Sequence, residues 1–141
     1  LPMTRPGTFF TMASGGLGFG MPAAVGIALA QRDRRVIALI GDGSSMYSIQ
    51  SLWSAAQLGL DVTFVVLNNG GYAAMKRHAG LLGFAPGEKV VGIAVPGIRY
   101  DQLAIAQGCP GERVTDAQGL HAVLEAALAR KGCSLVEVVI G

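Results

Sequence analysis

Three short apolar runs, each rich in β-branched residues, stand out along the chain. They are Val36–Ile40, Val62–Leu67 and Leu135–Ile140. Because their apolar residues are nearly continuous rather than alternating with polar ones, they are typical of strands covered on both faces of a parallel sheet. Thr8–Met12 is a weaker strand candidate.

Helical patterns lie between these runs. Met21–Gln31 is rich in alanine, Ser45–Leu58 carries apolar residues at helical spacing, and a short helix is predicted to begin at Asp101. A last helix is predicted to begin at a capping box formed by Thr115 and Gln118. The alternation of strands and helices predicts an α/β fold, with a mostly parallel sheet and helices on both faces.

Composition narrows the classes of protein. The chain has 141 residues, which suits a single domain over positions 1–141; 51% of them are hydrophobic and only 14% charged, which excludes disorder as its main state. A net charge of +2 is too small for a strongly basic nucleic-acid binder, and glycines interrupt the uncharged N-terminal stretch too often for a membrane span. Cys109 and Cys133 lack metal-site spacing, so we expect buried free thiols in a reducing cytoplasm.

Two strand ends carry the candidate chemistry. The first apolar run continues into Gly41–Gly43 (Gly-Asp-Gly) and the second into Asn68–Gly71 (Asn-Asn-Gly-Gly). Either sequence alone is an ordinary turn, but the carboxyl ends of neighbouring parallel strands are where ligands bind. A carboxylate, a carboxamide oxygen and a backbone carbonyl suit Mg²⁺, with phosphate and water completing its shell. Ser44 and Ser45 open a helix whose free N–H groups favour an anion, and the glycine- and proline-punctuated connection Phe84–Gly97 is of a kind that borders sites.

These motifs resemble those of thiamine diphosphate enzymes. Gly-Asp-Gly followed at this distance by Asn-Asn is similar to the motif of the pyrophosphate-binding domain of the 2-oxo acid decarboxylase and acetolactate synthase family. The resemblance covers essentially the whole chain. Within the family it is strongest to the benzoylformate decarboxylases, through GGLGFG, GDGSSMYSIQSLW, NNGGYAAM and VPGI.

The resemblance implies roles for individual residues around the diphosphate. The metal ligands would be the Asp42 carboxylate, the Asn69 side-chain oxygen and the Gly71 carbonyl. Backbone N–H groups of Gly43 and Ser44 would hold the diphosphate. Tyr72 would lie beside it.

The resemblance also implies roles further along the cofactor. The Gly15 carbonyl would accept a hydrogen bond from the pyrimidine amino group, and Leu17 would be the apolar wedge under the cofactor, unless it is a plain core leucine. Ala74, Met75 and His78 are candidates for the substrate pocket. Ordinary helix packing of Met75 and a solvent-facing His78 are the alternatives.

The implied activity is decarboxylation of a benzoylformate-like 2-oxo acid to an aldehyde and CO₂, with thiamine diphosphate and Mg²⁺. An acetolactate synthase-type carboligase is the alternative within the family. The family's catalytic glutamate and histidines come from outside this domain, and no residue of the chain is assigned a catalytic role. We therefore expect a fold truncated at its N-terminal end and a piece of a longer polypeptide. It would be inactive without a pyrimidine-binding domain and would work as a homodimer or homotetramer, with no nucleic-acid or membrane partner.

Two readings from other classes remain open at this point. Gly18-x-Gly20-x-x-Ala23, with Asp42 ending the next strand, is a near match to the fingerprint of a Rossmann-type dinucleotide-binding domain. The strand before it is weak, and the Asn-Asn pair has no role in that reading. A non-catalytic module that keeps the fold but binds nothing is the second alternative.

Overall fold

The computed structural model describes residues 4–85 and 88–140. Its helices and strands alternate along the chain. In order they are α1 (Gly20–Ala30), β1 (Val36–Gly41), α2 (Asp42–Ser45), α3 (Ser51–Gln57), β2 (Val62–Asn68), α4 (Ala73–His78), a 3-10 turn (Ala79–Leu82), α5 (Tyr100–Ala106), β3 (Gly111–Val114), α6 (Ala117–Ala129) and β4 (Ser134–Val139).

The strands form one parallel sheet in the order β1-β2-β4-β3. The three strands predicted from the apolar runs are confirmed as β1, β2 and β4. The sequence pattern did not predict β3, which is short and carries the charged pair Glu112 and Arg113. Gly41 pairs with Leu67 at the carboxyl ends of β1 and β2, so the two candidate loops leave adjacent strands, as the sequence predicts.

Helices pack on both faces of the sheet, which confirms the predicted α/β architecture. The larger core joins α1, α3 and α5 to the face that carries Phe64 and Leu135. On the opposite face α6 packs against Val65 and Val136. Successive residues of a strand point to opposite faces, so the apolar runs are continuous because both faces of β2 and β4 are covered.

Thr8–Met12 is not a strand, which corrects the weakest of the strand predictions. A strand needs a neighbour to pair its backbone N–H and C=O groups. In the described part of the chain, the sheet ends at β1 and β3, and neither pairs with this segment.

The helix predicted over Ser45–Leu58 begins three residues earlier and is interrupted between positions 46 and 50. In the interruption, backbone bonds join residues three apart, from Ser48 to Ser45 (3.1 Å) and from Ser51 to Ser48 (3.0 Å). The Ser45 hydroxyl donates to the carbonyl of Gly41 at 3.0 Å. A serine hydroxyl that bonds a backbone carbonyl competes with regular helix bonding, and the predicted helix is divided here into α2 and α3.

The capping box predicted for α6 is wrong by one residue. Asp116, not Thr115, caps the helix, and its carboxylate accepts from the backbone N–H of Gly119 at 2.8 Å. Aspartate is at least as good an N-cap acceptor as threonine.

Cys109 and Cys133 are free and buried in the larger core, as predicted. Among the described residues, none of the helices has the length and apolar character that crossing a bilayer requires.

Candidate functional site

The loops that follow β1 and β2 are in direct contact. Asp42 begins α2 immediately after β1 and is only 1% exposed. Its Oδ2 atom accepts a hydrogen bond from the backbone N–H of Gly71, at 2.8 Å. Gly71 comes two residues after Asn69, so the structure brings together the two loops that the sequence predicts to share a site.

Buried oxygen atoms in the two loops have no cationic side chain as a partner in the part of the chain that the structure describes. Asn69 Oδ1 is buried and has no hydrogen-bond partner, and leaving a buried polar atom unpaired is unfavourable. Among the described residues, no lysine, arginine or histidine forms an ion pair with the buried Asp42 carboxylate. A small cation would satisfy both groups, and a donor set made only of oxygen suits Mg²⁺.

Protein side chains would supply only part of the coordination shell. No group of three or more histidine, cysteine, aspartate or glutamate side chains that could hold a metal occurs within residues 4–85 and 88–140. An ion at Asp42 and Asn69 would therefore need backbone, phosphate or water ligands. Mg²⁺ is commonly bound in this way, by one or two carboxylates and the phosphates of a substrate or cofactor.

The connection Phe84–Gly97 forms backbone hydrogen bonds with the loop after β2. Positions 86 and 87 of this connection lie outside the described residues. Gly71 forms an antiparallel bridge with Ala94, and the N–H of Tyr72 donates to the carbonyl of Ile93 at 2.8 Å. A Cβ atom at Gly71 would lie 2.4 Å from that same carbonyl oxygen. Glycine is therefore required for this close approach, and the connection contacts the loop after β2 directly.

Close packing also surrounds Gly43 in the first loop. A Cβ atom at Gly43 would lie 2.6 Å from the ring of Tyr72, and that ring packs edge-on against Tyr47 with centroids 6.4 Å apart. Burial, reinforced by Tyr47, raises the pKa of Tyr72 above its ordinary value, so the phenol stays neutral at physiological pH. The first N–H groups of α2, which include those of Gly43 and Ser44, have no acceptor within the helix.

The glycine-rich segment before α1 reaches this loop. The backbone N–H of Gly18 donates to Ser44 Oγ at 3.2 Å. Gly15 adopts a positive φ of 65°, which glycine adopts without strain. Leu17 is 50% exposed, so in this chain it is a surface side chain rather than the core leucine of the alternative reading.

The residues predicted for the substrate pocket lie on α4, a helix that the sequence pattern did not predict. All three are exposed, and α4 has no buried residue. Nδ1 of His78 is 2.7 Å from the carbonyl of Ala74, a contact within the helix itself. Ala74, Met75 and His78 therefore enclose no cavity by themselves. A cleft of about 240 Å³ lies instead beside Asn69, and Arg99 and Arg113 line part of it.

Two residues of the site were not predicted. Tyr100 is buried, and its hydroxyl donates to the backbone carbonyl of Asp42 at 3.1 Å; burial raises the pKa of Tyr100, which keeps it a donor. Glu137 is completely buried on β4 and accepts from Asn68 Nδ2 at 2.7 Å. The available signal was one acidic residue inside the last apolar run, because glutamate is almost never fully buried unless it is paired.

An ion pair fixes the start of α5 beside Tyr100. Arg99 Nη2 lies 2.7 Å from Asp101 Oδ2. Hydrogen bonding to Arg99 lowers the pKa of Asp101 to about 2, although burial of the carboxyl group opposes that shift. Asp101 is therefore ionised throughout the physiological range.

Known proteins match the chain along nearly its whole length. The family model described as "Thiamine pyrophosphate enzyme, C-terminal TPP binding domain" matches residues 1–138. Benzoylformate decarboxylase of Pseudomonas aeruginosa is 44% identical over 96% of this chain and 25% of its own length. The large subunit of acetolactate synthase isozyme 1 of Escherichia coli is 35% identical over 97% of this chain and 24% of its own length.

Solved structures agree with these matches. The crystal structure of benzoylformate decarboxylase from Polynucleobacter necessarius superposes with a TM-score of 0.87 at 37% identity. The match covers 96% of this chain and 26% of that one. The chain thus spans about a quarter of the length of the relatives it matches.

The structure and the comparisons decide against the dinucleotide-binding alternative. A Rossmann fingerprint opens a helix directly after a strand, and no strand precedes Gly18 among the described residues. The family match accounts for the glycine-rich segment and both strand-end motifs together. The chain belongs to the thiamine pyrophosphate enzyme family, as its C-terminal TPP binding domain.

Proposed function

We propose that this chain holds thiamine diphosphate (thiamine pyrophosphate) through Mg²⁺ in an enzyme that decarboxylates a benzoylformate-like 2-oxo acid to an aldehyde and CO₂. The 44% identity to a benzoylformate decarboxylase supports the reaction class. The observation that carries the metal assignment is the unpartnered Asn69 Oδ1 in the loop whose Gly71 N–H contacts the buried Asp42 carboxylate.

In this proposal the two loops hold the diphosphate end of the cofactor. Asp42 and Asn69 ligate the ion through side-chain oxygens and Gly71 through its carbonyl. The N–H groups of Gly43 and Ser44 bind diphosphate oxygens. Bound thiamine diphosphate supplies the electron sink that allows a 2-oxo acid to lose CO₂.

Other residues of the chain position the rest of the cofactor. The Gly15 carbonyl accepts from the pyrimidine amino group, Leu17 supports the cofactor from below, and Tyr72 lies beside the diphosphate. The half-exposed position of Leu17 supports this role, because a wedge must present its side chain to a ligand.

We propose that a pyrimidine-binding domain, from the same or another polypeptide, closes the site within a homodimer or homotetramer. Met75 is 49% exposed on α4, and Ala74 and His78 are also exposed. An apolar residue here suits an aryl side chain of the substrate once a second domain covers it. The extent of the relatives supports such a domain, since this chain matches only a quarter of their length.

A carboligase of the acetolactate synthase type is a second candidate, favoured by the 35% identity to that enzyme. The two reactions differ in whether a proton or a second 2-oxo acid captures the decarboxylated substrate. Product analysis with one and with two 2-oxo acids separates them: aldehyde alone supports the decarboxylase, and a 2-acyl-2-hydroxy acid supports the carboligase.

The metal assignment is tested by calorimetry with thiamine diphosphate, in Mg²⁺ and in EDTA, on this chain together with its pyrimidine-binding domain. Asp42→Asn keeps the size of the side chain and removes its charge, and we expect it to weaken cofactor binding by at least about 100-fold. Asp33→Asn, at an exposed turn, is the matched control and should bind like the wild type. Cofactor binding that is unaffected by EDTA or by Asp42→Asn would contradict the proposal.

A further inference from the structure

We propose that Glu137 is a positioning residue that holds both metal-bearing loops in place from behind the site. This inference rests on the proposed function, because its consequence is the affinity for Mg²⁺. Glu137 lies on β4, one strand away from β2 and two strands away from β1. It does not belong to either strand-end motif.

The Glu137 carboxylate is fully buried and accepts four hydrogen bonds. Oε1 accepts from Asn68 Nδ2 at 2.7 Å and from Arg113 Nε at 3.2 Å. Oε2 accepts from the backbone N–H groups of Tyr100 at 3.1 Å and Asp101 at 3.3 Å. A buried carboxylate needs such partners, and here they come from β2, β3 and α5.

One arm of this network fixes the loop after β2. Because Asn68 Nδ2 is bound to Glu137, Asn68 Oδ1 is turned toward the N–H of Gly70, which donates to it at 3.0 Å. This local turn sets the path of the backbone through Asn69 to Gly71, whose N–H contacts Asp42. The orientation of the Asn68 amide therefore determines where the loop presents its ligands.

The second arm fixes the loop after β1. Glu137 holds the first N–H groups of α5, and α5 carries Tyr100. The Tyr100 hydroxyl in turn donates to the backbone carbonyl of Asp42. The Glu137 side chain is thus linked by hydrogen bonds to both loops that carry the proposed metal ligands Asp42 and Asn69.

A carboxylate suits this network, because each of the four hydrogen bonds to Glu137 comes from a donor. In Glu137→Gln, the new NH₂ group would face either Asn68 and Arg113 or the two N–H groups of α5, and both are donor pairs. If the Asn68 amide flipped to accept from the glutamine, its own NH₂ would face the N–H of Gly70. No arrangement of the two amides satisfies all of these donors.

Moving the carboxylate from position 137 to position 68 should restore the hydrogen bonds between the two side chains. In the double variant Asn68→Asp with Glu137→Gln, the glutamine NH₂ donates to one aspartate oxygen, and the other accepts from the N–H of Gly70. Arg113 loses its acceptor, but its side chain is 34% exposed and can turn to water. The glutamine carbonyl continues to accept from the start of α5. Asn68→Asp alone would instead place two carboxylates side by side, which is unfavourable.

The experiment measures the Mg²⁺ dissociation constant, with thiamine diphosphate present, and the unfolding temperature of the cofactor-free protein. Both are measured on this chain together with its pyrimidine-binding domain. We expect Glu137→Gln and Asn68→Asp each to weaken Mg²⁺ binding by about 10- to 100-fold. The double variant should return to within about 3-fold of the wild type. Glu112→Gln, exposed on β3, is the matched control with unchanged affinity.

Asn68→Ala covers the case in which Glu137→Gln does not fold, because it leaves the bonds from Glu137 to α5 and Arg113 in place. It should weaken Mg²⁺ binding by about 10-fold. A merely structural role would lower the unfolding temperature of the variants and leave Mg²⁺ affinity unchanged, and that result overturns the inference. The inference is also overturned if the double variant binds Mg²⁺ no more tightly than the weaker-binding single variant. A wild type that binds no Mg²⁺ overturns the proposed function itself.

Discussion

At the scale of single residues, the proposed site depends on a glycine that leaves room for a ring and on a side-chain oxygen that has no hydrogen-bond partner. Gly43 allows the Tyr72 ring to occupy the space that a Cβ atom would take. Asn69 keeps a buried oxygen without a partner. Because burial of an unpaired polar atom is unfavourable, this arrangement supports the cation site proposed above.

Gly43→Ala should lower the free energy of unfolding by about 1–3 kcal/mol, because the new methyl group overlaps the Tyr72 ring and the packing must shift. Chemical denaturation followed by circular dichroism measures the change. Gly41→Ala is the control: no atom lies within 4 Å of a Cβ at that position, and its φ of −73° suits any residue.

Adding Tyr72→Ala to Gly43→Ala removes the obstacle. The loss caused by the alanine at position 43 should then be smaller than in the wild-type background. Equal losses in both backgrounds would show that the overlap with Tyr72 is not the cause.

At the scale of elements, apolar patterns predicted where strands and helices lie, and individual hydrogen bonds decided where they begin and end. One predicted helix is divided in two where the Ser45 hydroxyl bonds the carbonyl of Gly41 and backbone bonds at Ser48 join residues three apart. The start of α6 depends on one carboxylate, that of Asp116. Element boundaries are hard to read from the sequence because several neighbouring polar residues offer similar caps.

Two substitutions at the start of α6 test whether Asp116, as in the structure, or Thr115, as in the sequence prediction, caps the helix. Asp116→Ala should lower the free energy of unfolding by about 1 kcal/mol, because it leaves the N–H of Gly119 without its acceptor. Thr115→Ala should change it by less than about 0.5 kcal/mol. Thermal or urea unfolding of the two variants measures both changes. A larger loss of unfolding free energy for Thr115→Ala would favour the capping box instead.

At the scale of the whole molecule, part of the apolar surface is left uncovered. On β1, Ile37 is 59% and Leu39 is 68% exposed, on the face where α6 covers the neighbouring strands. Apolar side chains are also exposed beside the proposed site, on Leu17 and Met75. Parallel sheets are normally covered on both faces, so these surfaces fit a chain that works together with a further domain.

If the proposed function holds, this chain without a pyrimidine-binding domain should not decarboxylate a 2-oxo acid, because the residues proposed for the substrate pocket are exposed on α4 and enclose no cavity by themselves. Adding that domain should produce aldehyde and CO₂ and tighten the binding of thiamine diphosphate. Product formation and calorimetry, with and without the added domain, measure both effects. Turnover by the chain with no partner would contradict the expectation.

The sequence by itself determined the apolar runs that become β1, β2 and β4, and the oxygen-bearing loops that follow two of them. These features are local: a run of β-branched residues favours a strand, and glycine beside aspartate or asparagine favours a tight turn that carries an oxygen ligand. The contact between the two loops also followed, because consecutive parallel strands usually neighbour each other.

Only the tertiary structure decided which residues support those loops from a distance. Tyr100 and Glu137 contact the site from α5 and β4, far along the chain from Asp42. Strand order also placed β3 at the edge of the sheet, where Arg113 reaches Glu137. Hydrogen bonds between residues remote in sequence have no local pattern, so a lone glutamate in an apolar strand acquires its partners only when the sheet and helices have packed.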